Sequence, residues 1–64
     1  MHNYSFSLLD TVTLLIDLPK ENLSKGKRGT IVHIFDDSTF EVEFLDSQGY
    51  TTNLVSLPIQ FLSI

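Results

Sequence analysis

Sixty-four residues allow one domain, and a domain this small buries only about 60% of the surface its unfolded chain exposes. There is no cysteine, so no disulfide framework can compensate, and a structural zinc site would have only His2 and His33 to draw on. The 42% hydrophobic content, with five Phe and two Tyr, is too apolar for a disordered chain, and the net charge of −4 disfavours general binding to phosphate backbones.

The dominant period along the chain is two, which predicts strands. Val12, Leu14 and Ile16 alternate with Thr11, Thr13 and Leu15 in a first strand bounded by Asp10 and Asp17. β-Branched residues are dense there, as a half-buried pleated surface favours. Residues 17–28 then read as a long polar loop. Pro19 biases Leu18 away from helix. A short helical turn fits Lys20–Leu23, Leu23 is the expected buried anchor, and Gly26 is expected at positive φ.

A second strand is expected from Arg28 to Phe35, with Val32 and Ile34 on one face and Ile31 and Phe35 on the other. Asp36-Asp37-Ser38 is a turn. The third strand, Thr39 to Leu45, points Phe40, Val42 and Phe44 inward and Glu41 and Glu43 outward. Asp46-Ser47-Gln48-Gly49 suits a type I turn followed by a left-handed glycine. That turn pairs Asp46 with Tyr50 and predicts Phe44 opposite Thr52, Val42 opposite Leu54 and Phe40 opposite Ser56. The fourth strand is Tyr50 to Ser56. A helical turn opened by Pro58 follows, and Leu62-Ser63-Ile64 supplies a fifth strand.

Five short strands with turn signals between them predict an all-β fold, here a small five-stranded SH3-like barrel over residues 10–64. It has a long first loop and a one-turn 3-10 helix before the last strand. Val12, Leu14, Val32, Val42, Phe44 and Leu54 are expected to share its interior. Residues 1–9 are expected as a tail or an extra edge strand, since Tyr4, Phe6 and Leu8 alternate with polar residues.

The residues that carry a resemblance are Asp10-Thr-Val12-Thr-Leu14, Gly26-Lys-Arg-Gly29-Thr-Ile-Val32, Phe40-Glu-Val42-Glu-Phe44-Leu-Asp46 and the closing Leu57–Leu62. In that order and spacing the chain resembles a family of small bacterial proteins, frequent in cyanobacteria, catalogued as a domain of unknown function. The match runs from residue 9 to 63. The glycine-containing motif alone is also found in the KOW barrels of ribosomal and transcription proteins. The resemblance implies an SH3-like barrel and no catalytic activity. Some members accompany a partner reading frame in the manner of a toxin–antitoxin pair. The chain departs from the family in Phe40, where Tyr is common, in its more basic first loop and in its more aromatic tail.

No enzyme chemistry is expected. A nucleophile–base–acid arrangement would need groups the chain lacks: there is no cysteine, no Gly-x-Ser-x-Gly elbow, and His33 sits mid-strand. Glu41 and Glu43 lie about 7 Å apart on one strand face, but an exposed face lacks the apolar pocket that would split their acidities. Asp36-Asp37-Ser38-Thr39-Phe40-Glu41 lacks the spacing of a calcium loop. No metal and no cofactor is expected.

Binding remains. Leu18, Ile31, Phe35 and Tyr50 are the expected apolar contact residues for a protein partner, with Asp36, Asp37, Glu41, Glu43 and Asp46 steering a basic one. The alternative is a KOW-like nucleic-acid surface built from Lys20, Lys25, Lys27 and Arg28, which carry every positive side-chain charge outside the histidines. A structural homo-oligomer is the third possibility. Polyproline recognition is disfavoured, because there is no Trp and the first loop carries bases. No apolar run reaches the roughly 20 residues of a membrane span and the N-terminus does not read as a signal peptide, so a cytoplasmic protein is expected.

Overall fold

The computed structural model describes residues 6–64. The expectation for Tyr4 and the start of the tail lies outside them. Strand β1 is Thr11–Leu14, β2 is Arg28–Asp36, β3 is Thr39–Leu45, β4 is Thr51–Pro58 and β5 is Leu62–Ser63. One 3-10 turn, Pro19–Glu21, lies in the first loop and another, Ile59–Phe61, precedes β5. All five strands form one antiparallel sheet in the order β4-β3-β2-β1-β5. The all-β class, the five strands, the long first loop and the 3-10 turn before the last strand follow the pattern read from the sequence.

The sheet curls around a core of Val12, Leu14, Leu23, Ile31, Phe40, Val42, Phe44, Leu57 and Leu62. Strands β1 and β3 contribute alternate side chains, as a sheet with one buried face favours, and β2, β4 and β5 contribute Ile31, Leu57 and Leu62. Leu23 is the buried anchor of the first loop. It is held by a small hairpin in which Leu18 N–H donates to Leu23 O (2.9 Å) and Leu23 N–H to Leu18 O (3.1 Å). Asn22 closes that hairpin at φ 57°, a conformation asparagine tolerates better than most residues.

Three features differ from the pattern expected of the sequence. Strand β1 ends at Leu14, so Ile16 lies outside it and is exposed. In β2 the inward residues are Gly29 and Ile31; Val32 is half-buried and Ile34 is exposed. The pairing of β2 with β3 shifts between Ile31 and His33 and again between Ile34 and Asp36. These irregularities break the simple alternation.

The third difference is in β4. The turn forms as expected: Asp46 N–H donates to Tyr50 O (2.9 Å) and Gly49 takes φ 88°. Leu45 then pairs with Thr51, but Phe44 pairs with Asn53, so Thr52 is an extra residue. Beyond this bulge Val42 faces Val55, Phe40 faces Leu57 and Glu43 faces Leu54. Leu54 is therefore on the acidic side of the sheet and 57% exposed, while Leu57 is buried. The strand also runs on to Pro58 rather than ending at Ser56.

The described part of the tail, residues 6–9, makes a turn instead of an edge strand. Asp10 N–H donates to Ser7 O (3.1 Å), Ser7 N–H donates to Asp10 Oδ2 (2.8 Å), and Leu9 N–H ties the turn to Ile31 O of β2 (2.7 Å). Phe6 packs against Phe40, with ring centroids 5.3 Å apart.

Candidate functional site

The five acids are spread along the β2–β3–β4 region, and four of them have local work. Asp36 Oδ1 accepts from Ser38 N–H (2.9 Å) and Oγ (3.1 Å), closing the β2–β3 turn. Asp46 Oδ1 accepts from Gln48 N–H (2.8 Å) and Tyr50 N–H (3.0 Å), closing the next one. Glu41 and Glu43 stand half-buried on the outer face of β3. Glu41 accepts the Ser56 hydroxyl (3.0 Å) and Glu43 the Thr51 hydroxyl (2.6 Å). Both carboxylates remain partly open to solvent. Asp37 is exposed at the turn.

The expected apolar contact set does not assemble. Ile31 is fully buried and belongs to the core, so it cannot touch a partner. Phe35 and Tyr50 are exposed but lie at opposite ends of β3, about 17 Å or more apart at the strand rise. Phe35 instead meets His33 edge-on, with ring centroids 4.7 Å apart. Leu18 is half-buried where the first loop meets β4, apart from Phe35 and Tyr50.

That meeting point is a cleft the sequence did not disclose. Leu18, Pro19, Lys20 and Glu21 form one wall, and Val55 and Leu57 form the other, of an open cleft of about 410 Å³. Its lining is largely apolar, with Lys20 and Glu21 supplying the charged groups. Asn53 Nδ2 donates to Glu21 O (2.8 Å), pinning the loop to β4. On the far side of this bond a second, polar recess of about 440 Å³ is lined by Glu21, Ser24, Lys27, Asp46 and Asn53, among others.

Three of the four bases are divided among these surfaces, and the fourth, Lys25, is exposed in the first loop, where its backbone N–H donates to Asp17 Oδ1 (2.8 Å). Lys20 lines the apolar cleft, Lys27 the polar recess, and Arg28 the outer face of the sheet beside Glu43. Lys27 lies close enough to Asp46 to favour its ionised form. Such an arrangement does not make a single cationic track. Among the described residues, no cluster of three or more His, Asp or Glu is placed to hold a metal ion. No helix among them is long and apolar enough to cross a membrane.

The family described as Domain of unknown function (DUF4926) matches residues 8–63. The chain belongs to the DUF4926 family. No curated protein and no solved structure matches it.

The two turn aspartates give this DUF4926 domain an acid-sensitive element. Backbone hydrogen bonds, from Ser38 to Asp36 and from Tyr50 to Asp46, hold both carboxyls below the ordinary 3.8. A depressed folded-state value stabilises the fold above the unfolded value, and that stabilisation is lost as pH falls through the folded value. Thermal midpoints should therefore fall below about pH 4. Asp46→Asn keeps the acceptor oxygen and removes the titration, so its midpoint should fall less on acidification. An equal fall in both proteins would show that the Asp46 turn does not contribute.

Proposed function

We propose that this domain is a non-catalytic protein-binding module for a basic partner. The observation that carries this reading is the apolar cleft between the first loop and β4, which lies across the β4 edge from the outer sheet face presenting Glu41 and Glu43. The cleft offers area to bury, and the carboxylates offer long-range attraction to a basic protein. The order of strands and loops supports placing the domain among SH3-like barrels. An antitoxin-like role, in which the acids mask a basic nucleic-acid-cleaving protein, is the most specific form of the reading. The scattered bases weigh against the nucleic-acid alternative, because phosphate tracking rewards cations aligned on one surface. Equal charges of −4 weigh against a homo-oligomer.

Glu41→Gln/Glu43→Gln tests the electrostatic half. Glutamine retains an oxygen for the Ser56 and Thr51 hydroxyls, and the net charge falls from −4 to −2 by removal of two carboxylates. With a basic protein that co-purifies with the domain, association should slow several-fold at low salt and converge with wild type at high salt. An unchanged association rate would remove the steering role.

A further inference from the structure

The backbone of β4 carries a second recognition feature. Among the described residues it is an edge strand, with β3 as its one neighbour in the sheet. Hydrogen bonds at both ends fix the phase of its ladder: Asp46 N–H donates to Tyr50 O (2.9 Å) and Ile59 N–H donates to Ser38 O (2.8 Å). In an antiparallel pair, bonded and non-bonded rungs alternate. The bonded rungs are thus Phe44 with Asn53, Val42 with Val55, and Phe40 with Leu57. Leu54 and Ser56 turn their N–H and C=O away from β3, and so does the Pro58 carbonyl. Proline's missing N–H would have pointed outward, which is why the strand tolerates it at that position.

This edge lacks the usual deterrent. Natural edge strands are commonly blunted by charged side chains, proline or bulges. Strand β4, from Thr51 to Pro58, has no charged residue. Its bulge at Thr52 and its proline stand at the two ends and leave the segment between them open. No other described residue hydrogen-bonds to the outward backbone groups of Leu54 and Ser56.

We propose that β4 accepts an extended strand of the partner, in which apolar residues alternate with Lys or Arg. This rests on the protein-binding reading above and names the segment that is bound. The alternation follows from the two faces of the site. Inward side chains of an added strand would meet Val55, Leu57, Leu18 and Pro19 in the cleft. Outward ones would lie beside Leu54 and Ser56, two strand spacings or about 10 Å from β3. From there a long cationic side chain reaches toward Glu41, which is opposite Ser56, and Glu43, which is opposite Leu54. A second copy of this chain supplies no such cations, because its own β4 is uncharged and its bases lie between Lys20 and Arg28.

The test is a titration of the full isotope-labelled chain with the blocked peptide Lys-Val-Lys-Val-Lys-Val-Lys, read by amide shifts and hydrogen exchange. The Leu54 and Ser56 amides should shift and gain protection. N-Methylation of the peptide amides on one edge should weaken binding by about tenfold or more, and methylation on the other edge should not. A Glu-Val-Glu-Val-Glu-Val-Glu peptide should not bind. Shifts centred elsewhere, or equal effects of methylation on both edges, would overturn strand addition. So would an S56P-sensitive dimer in sedimentation, which would make a second copy the occupant. The two readings fail differently. A basic protein that binds wild type and Ser56→Pro equally leaves the binding module standing and removes the added strand. Indifference of both that protein and the peptide to Glu41→Gln/Glu43→Gln removes the basic-partner reading itself.

Discussion

Phe44→Ala should cost about 3–5 kcal/mol, a large share of the stability of a domain this size. Phe44 is fully buried, and it packs in the same interior as Val12, Leu14, Val42 and Phe40. Truncation removes the ring's transfer energy and leaves a void that a small sheet closes only in part. The whole domain has about 3–10 kcal/mol to lose, from the stability typical per residue. Urea denaturation followed by near-ultraviolet dichroism should show a midpoint moved to markedly lower denaturant. Leu54→Ala is the control. Leu54 is 57% exposed, so its truncation should stay within about 0.5 kcal/mol of wild type. Equal losses at the two positions would contradict the phase of β4 and the cleft derived from it.

The phase of β4 marks the limit of what periodicity could tell. The Asp46–Gly49 turn was legible because its chemistry is local: an aspartate accepts from the turn's own N–H groups, and a glycine takes the left-handed conformation. Extending that turn as an unbroken ladder placed Leu54 inside. The bulge at Thr52 is set further down the chain, where Leu57 must meet Phe40. The sequence did hold a signal for it. Positions 53, 55 and 57 carry two apolar residues, whereas 52, 54 and 56 carry only one, and Pro58 fits only with its nitrogen facing outward. In β2 both faces are apolar, so alternation could not choose between Ile31 and Val32.

The candidate site was less legible than the fold. The acids are visible in the sequence, and the placing of Asp36 and Asp46 marks them as turn residues. Their hydrogen bonds show that they hold the chain as well as charge its surface. The cleft joins Leu18 and Pro19 to Val55 and Leu57, residues more than half the chain apart. Only the tertiary path of the first loop creates it. Apolar character alone groups Phe35 and Tyr50 with Leu18, and a strand's length separates Phe35 from Tyr50.

Gly29→Ala should cost about 1–3 kcal/mol, and Gly29→Val more. Gly29 is buried in β2 opposite Val12 and sits against the inner side of β3. A β-carbon there would meet Val42 Cγ1 at 2.6 Å, Phe44 Cε1 at 2.9 Å and the Glu43 carbonyl oxygen at 3.0 Å. The two side chains could yield by rotating, but both are themselves fully buried. The carbonyl cannot yield without moving the β2–β3 ladder. The reason for glycine at this position is therefore close approach between strands and not an unusual backbone angle. For a domain of this size, each kcal/mol lost lowers the thermal midpoint by about 4–8 °C. Differential scanning calorimetry should resolve that shift. The contrast is Gly26→Ala: Gly26 has φ 95° but open space around it, so its penalty would come from backbone strain alone. Pairing Gly29→Ala with Val42→Ala separates the two causes. If crowding is the cause, the smaller residue at 42 should return part of the stability that alanine at 29 removes, making the double variant less destabilised than the sum of the two. Simple additivity would mean that the interior of β2 and β3 has slack at this contact, and the close packing argued here would be wrong.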